Sequence, residues 1–162
     1  MDTLLRTNRS TSNLMLRLVL GAVMFPHGAQ KLLGWFGGHG YSATMGFLTR
    51  GMHLPAPVAV LVIMAEFFGA LGLVTGTLTR VAAAGVAAVM LGAVATVHWH
   101  NGFFMNWAGT QHGEGFEYHL LALAMAGVLV ATGGGRLSVD GWLARRMDSR
   151  SGARRGLTTA HA

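Results

Sequence analysis

The amino-acid sequence reads as an all-α fold, a polytopic membrane bundle of four helices. Composition is the first ground: of 162 residues, 52% are hydrophobic and only 11% charged, which leaves a soluble domain of this size short of polar surface. The second is patterning. Apolar residues gather in blocks of spanning or near-spanning length, over residues 14–34, 55–78, 81–97 and 116–133, with glycine, proline or charge clusters between them. The third is where the cations fall. Arg6, Arg9 and Arg17 precede or open the first block, Arg80 separates the second from the third, and Arg136, Arg145, Arg146, Arg150, Arg154 and Arg155 follow the fourth. By the positive-inside rule both termini are expected in the cytoplasm.

Residues 1–13 are expected to form a cytoplasmic N-terminus, and 14–147 a single membrane domain. The first helix is expected over residues 14–33, kinked at Pro26, which cannot donate a backbone hydrogen bond. Its apolar run continues past Pro26 without a small-x-small cleavage site, so it reads as a retained helix rather than a secretory signal. The stretch after it is glycine-rich, aromatic and too polar to span. A short interfacial helix over 42–50, capped at Ser42, is expected there, with Trp35, Phe36 and Tyr41 in an aromatic belt.

The second helix is expected over 55–78, the third over 80–99 and the fourth over 116–134. Small residues four apart, as in Gly72/Gly76 and Ala84/Ala88/Gly92, suit close backbone approach, either within the bundle or between copies in a homo-oligomer. After Gly133–Gly135, Ser138 suits the N-cap of a second short interfacial helix that lays Leu137, Trp142 and Leu143 toward the bilayer. Residues 148–162 read as a disordered basic tail.

The net charge of +6 is accounted for by topology, so anionic lipid headgroups are the expected partner and nucleic acid is not. The chain has no cysteine. That excludes disulfides, thiolate metal sites, covalent haem attachment and any dithiol mechanism within it.

Glu66 is the one charge between Pro55 and Thr79, near the middle of a run long enough to cross a bilayer. A carboxylate at that depth costs roughly 2.5–3.5 kcal/mol on insertion scales, so it is expected to face protein or a cavity. On the expected topology the other ionisable residues lie in the outer half: His27 and Lys31, an i, i+4 pair, then His98, His100, Glu117 and His119. Three site chemistries compete for them. Quinone would suit His27, Lys31, Glu66 and His119, because imidazole titrates near neutrality and can move protons at a carbonyl oxygen. Haem b would need two axial histidines at equal depth, for which His98 and His119 qualify. A metal site drawing on His98, His100, Glu117 and His119 would need irregular helix ends, since residues two apart point to different sides of a regular helix. We assign Glu66, His27 and Lys31 as catalytic candidates, the same three with His98 and His119 as cofactor-binding candidates, and no metal ligands. The bland account makes Glu66 with Lys31 or His27 an interhelical strut.

Several ordered segments carry a family resemblance: the run from Arg17 to His27-Gly28-Ala-Gln-Lys31, Leu54-Pro55 leading to Glu66-Phe-Phe-Gly69, Gly76-Thr-Leu-Thr-Arg80, His98 with Asn101-Gly-Phe, and Gly133-Gly-Gly before Ser138-Val-Asp140. Together, over residues 14–142, the chain resembles the DoxX family of small four-helix membrane proteins. The resemblance implies a bacterial-type inner-membrane, multi-pass protein related to the membrane subunit of thiosulfate:quinone oxidoreductase. It places His27, Gly28, Lys31, Glu66, Gly69, Gly76 and Arg80 on the family's recurring positions. The expected function is a membrane oxidoreductase subunit that binds quinone and works with partner subunits. A non-catalytic scaffold for soluble redox partners and a proton-coupled transporter of small solutes are the alternatives.

Overall fold

The structure is a computed structural model that describes residues 5, 7, 10–147 and 149. Among these, all regular secondary structure is helical. The first helix, α1, spans Thr11–Leu33 and starts three residues earlier than expected, because the Ser10 hydroxyl caps it by accepting the Asn13 N–H at 3.3 Å. It runs on through Pro26 to a left-handed Gly34. The short helix α2, Gly40–Gly46, continues into a π turn over Phe47–Gly51. Ser42 is not its cap. Left-handed backbone at Gly37 and Gly40 lets the chain enter the helix two residues before Ser42, with His39 at the N-cap position.

Helix α3, Ala56–Thr75, follows Pro55 and stops three residues short of the expected end. Gly76 takes φ 70°, and the Thr77 N–H closes back on the Gly72 carbonyl at 2.9 Å, so the chain turns there. Helix α4, Thr79–Ala93, gives way to a π turn over Val94–His98 and a 3₁₀ turn over Trp99–Asn101, where a single regular helix over 80–99 is expected. Helix α5 covers Glu117–Thr132. Residues 139–147 form a last helix, α6, and its expected cap is present: the Ser138 hydroxyl accepts the Gly141 N–H at 3.2 Å. The expected disordered tail lies outside the described residues apart from Ser149.

Helix α1 packs on α3 and α5, and α4 packs on the same two. The four long helices thereby share one apolar core, in which Leu20 and Met24 meet Ala70, Leu73, Val86, Met90, Ala126 and Leu129. The α1–α3 crossing is close because Gly28 has no side chain. A Cβ there would lie 2.6 Å from the Phe67 Cα.

Two segments are long and apolar enough to cross a membrane, Ala56–Thr75 and Thr79–Asn101. Only 33% and 22% of their apolar windows are buried inside the molecule, so most of that surface is left for another apolar medium. By the same measure α1, which carries Arg17 and Lys31, is too polar, and α5 at 16 residues is too short.

One end of the molecule is closed by a buried polar lock. Arg17 is 1% exposed, and its guanidinium donates to the carbonyls of Leu73 (3.0 Å), Val74 (2.6 Å), Gly134 (2.9 Å), Arg136 (3.2 Å) and Leu137 (2.7 Å). It thus satisfies the open C-terminal carbonyls of α3 and the turn after α5 at once. Asp140, also buried, accepts the N–H groups of Leu78 (2.7 Å) and Thr79 (2.8 Å) and so caps α4 from a distant part of the chain. Asn13 donates to the Thr132 hydroxyl (2.7 Å) and the Gly133 carbonyl (2.9 Å). The lock holds two leucines in left-handed backbone, Leu78 at φ 47° and Leu137 at φ 53°. That conformation costs a non-glycine residue roughly 1–2 kcal/mol.

Candidate functional site

Fourteen residues along α1 from Arg17, at 1.5 Å of rise each, lies Lys31, roughly 20 Å from the lock. Its ammonium donates to the Glu66 carboxylate, joining α1 to α3. Glu66 is 4% exposed, whereas the Lys31 side chain is about a third exposed, so the pair reaches from the core toward the surface. The Gly28 crossing permits this. A Cβ there would press on the backbone of Glu66 and Phe67 and push the two helices apart at the pair.

Lys31 also lines a cleft of about 380 Å³ between the end of α1 and helix α2. Gln30, Gly38, His39, Thr44 and Phe47 complete much of its wall. The Gln30 amide donates to the Phe36 carbonyl at 3.1 Å and fastens the glycine-rich loop over it.

A second polar pair is His98 with His119, whose ring centroids are 4.1 Å apart. The π turn over Val94–His98 places His98 there. Each such turn inserts one residue, so a regular α-helix would have presented Val97 at this spot. The His98 Nδ1 lies 2.8 Å from the Glu114 carbonyl, which can only accept, so this bond needs a proton on Nδ1. His119 is buried, and its Nδ1 has no hydrogen-bond partner among the described residues. Next to it, Tyr118 donates to the Met24 sulfur at 3.6 Å.

His27 is exposed, yet it lies within electrostatic range of Lys31, Glu66 and His119, and Tyr118 within range of Glu66. The five candidate residues therefore form two contacting pairs with His27 between them. His100 is exposed and does not join them. Glu117 turns to the loop between α4 and α5 instead, accepting the Met105 N–H at 3.0 Å. The two imidazoles touch, leaving no gap for a porphyrin between them, so this pair does not fit bis-histidine haem.

Sequence reasoning missed the stabilising use of Arg17 and Asp140. Arg17 served there as a topology marker, although Asn13, Arg17, Leu20 and Met24 fall on one helical stripe that is buried throughout. That stripe was the available signal.

Replacing His119 by phenylalanine removes a buried nitrogen without a partner. Its expected effect is a bundle as stable as the original or about 1 kcal/mol more stable. Thermal unfolding in detergent checks this, and a marked loss would show that Nδ1 is satisfied in the folded protein.

Exposed apolar helices around buried ionisable pairs define an all-helical membrane protein. The chain belongs to the DoxX family, whose model matches residues 12–99. The match takes in Arg17, His27, Lys31, Glu66 and His98, and stops before His119 and Asp140. No curated protein and no solved structure matches the chain.

Proposed function

We propose that the chain is an integral inner-membrane subunit of an oxidoreductase system that binds quinone beside Lys31. In this reading α1, α3, α4 and α5 all cross the membrane as a four-helix bundle. Both termini are cytoplasmic, and the Lys31 cleft opens on the outer side. The arginines clustered at the Arg17 end favour that orientation.

The observation that carries the reading is the Lys31–Glu66 pair, in which a buried carboxylate is joined to a cation at the wall of a cleft. Burying an ionisable pair in an apolar bundle is costly, and hydrophobic residues of similar size would fasten α1 to α3 at least as well. Quinone, when bound, supplies a two-electron, two-proton acceptor. Lys31 is placed to hold a carbonyl oxygen and give it a proton, and the Glu66 carboxylate to take up a replacement proton and pass it to Lys31, once for each of the two protons. His27, exposed and close to both, is placed to exchange that proton with water. Electrons come from a partner subunit, and any thiol chemistry belongs there as well, because this chain has no cysteine.

Gentle purification from native membranes, followed by mass spectrometry of the bound lipids and subunits, tests the reading. Stoichiometric quinone together with a redox subunit is the expected result. A scaffold without quinone is the rival, favoured by the fact that the Lys31–Glu66 pair already joins two helices. Partner subunits recovered without quinone would establish the scaffold instead.

A further inference from the structure

The lock end presents an unusual surface. Leu78 and Leu137, both in left-handed backbone, are 49% and 84% exposed. The Leu78 side chain borders an apolar groove between α3 and α4, and the Leu137 side chain is open to its surroundings. The Leu78 N–H is held by Asp140 and the Leu137 carbonyl by Arg17, so the buried lock imposes the backbone and turns each apolar side chain outward. Strained backbone maintained by its surroundings points to a use for what it displays.

The charges beside these leucines say what that use is. Arg136, Arg145 and Arg146 are exposed, and Arg146 stacks on the half-exposed Trp142 ring at 4.1 Å from its centroid. On α6 the buried face holds Asp140 and Gly141, which leaves Trp142, Arg145 and Arg146 on the exposed one. Among the described residues of this segment the acid, Asp140, is buried and bonded to two backbone N–H groups, so it does not neutralise the surface. Apolar anchors flanked by guanidinium groups and an indole match one surface chemistry, an anionic phospholipid leaflet.

We infer that Leu78 and Leu137 are lipid anchors which, with Arg136, Arg145, Arg146 and Trp142, dock this end of the molecule on anionic phospholipid. The leucines enter the acyl boundary and the guanidinium groups hold phosphate. Because Arg17 and Asp140 hold the same leucines, docking there also steadies the lock and with it the whole bundle.

The experiment places the full chain in nanodiscs of phosphatidylcholine alone or with a quarter phosphatidylglycerol and measures the apparent melting temperature. Anionic lipid is expected to raise it by roughly 4 °C, the scale on which a modest binding energy shifts a protein of this size. The double variant Leu78→Gly, Leu137→Gly suits the left-handed backbone better, so it is expected to be at least as stable in detergent while losing most of the lipid-dependent rise. The triple variant Arg136→Gln, Arg145→Gln, Arg146→Gln keeps the backbone bonds to Arg17 and is also expected to lose it. An undiminished rise in both variants would overturn the inference. So would a double variant that is less stable in detergent, because the leucines would then be packing residues. The same rise from inorganic phosphate added to phosphatidylcholine discs would also overturn it, since the site would then take a soluble anion.

Discussion

Replacing Arg17 by methionine is expected to cost the protein roughly 3–5 kcal/mol, enough to keep it from accumulating folded in membranes. The substitution keeps the apolar stem and removes five donors that meet carbonyls from two distant parts of the chain, the end of α3 and the turn after α5. A hydrogen bond from a charged group contributes roughly 1.5–3 kcal/mol, and the relief of no longer burying a charge offsets only part of the sum. Arg17→Lys is expected to restore little. A compact ammonium with three donors cannot reach the ends of α3 and the turn beyond α5 together. Asp140→Asn is expected to be milder, about 1–2 kcal/mol, because the amide oxygen can still accept one of the two backbone N–H groups that Asp140 now caps. Size-exclusion survival after heating, measured in detergent, reads all three. An Arg17→Met protein melting within a couple of degrees of the original would refute the lock.

Separating the two members of the ion pair is expected to cost unequal amounts of stability. Lys31→Met leaves the buried Glu66 carboxylate without its cation. A fully buried pair broken in this way loses about 3–5 kcal/mol. Here the Lys31 side chain is a third exposed, so water can partly replace it and about 2–3 kcal/mol is expected. Glu66→Gln keeps the shape and leaves Lys31 free to swing toward solvent, so its cost is expected to stay below about 1 kcal/mol. Quinone binding does not divide them. Both variants are expected to weaken it at least about tenfold, since one removes the cation at the cleft and the other removes the carboxylate that holds that cation in place. Titration of a quinone analogue into protein in nanodiscs, beside thermal unfolding, checks both quantities. Glu66→Gln is the decisive variant. If it folds and binds quinone as before, Glu66 fastens helices and takes no part in holding quinone.

The four long helices were legible because apolar blocks bounded by glycine, proline and arginine are written directly in residue type. So was the Lys31–Glu66 pair, since an isolated charge in an apolar run has few places to find an opposite one. The lock was not legible for a plain reason. Its acceptors are main-chain carbonyls of Leu73, Val74, Gly134, Arg136 and Leu137, and a carbonyl leaves no mark in the sequence. The His98–His119 contact was half visible. Two histidines near adjoining helix ends suggest a meeting, but whether the rings face each other depends on a one-residue π insertion that periodicity does not reveal. The end of α3 at Gly76, and the early start of α2 at Gly40, turned on left-handed glycines that an apolar-run reading passes over.

Arg17 is 56 residues from Leu73 and 117 from Gly134 along the chain. During synthesis its guanidinium therefore emerges long before the carbonyls it will bind. The lock cannot be completed until residues 134–137 have left the ribosome. Until then water must hydrate the guanidinium in place of those carbonyls, so closure of this end comes after the helices it joins have been made. A chain cut short before residue 134 would lack the means to finish its own beginning.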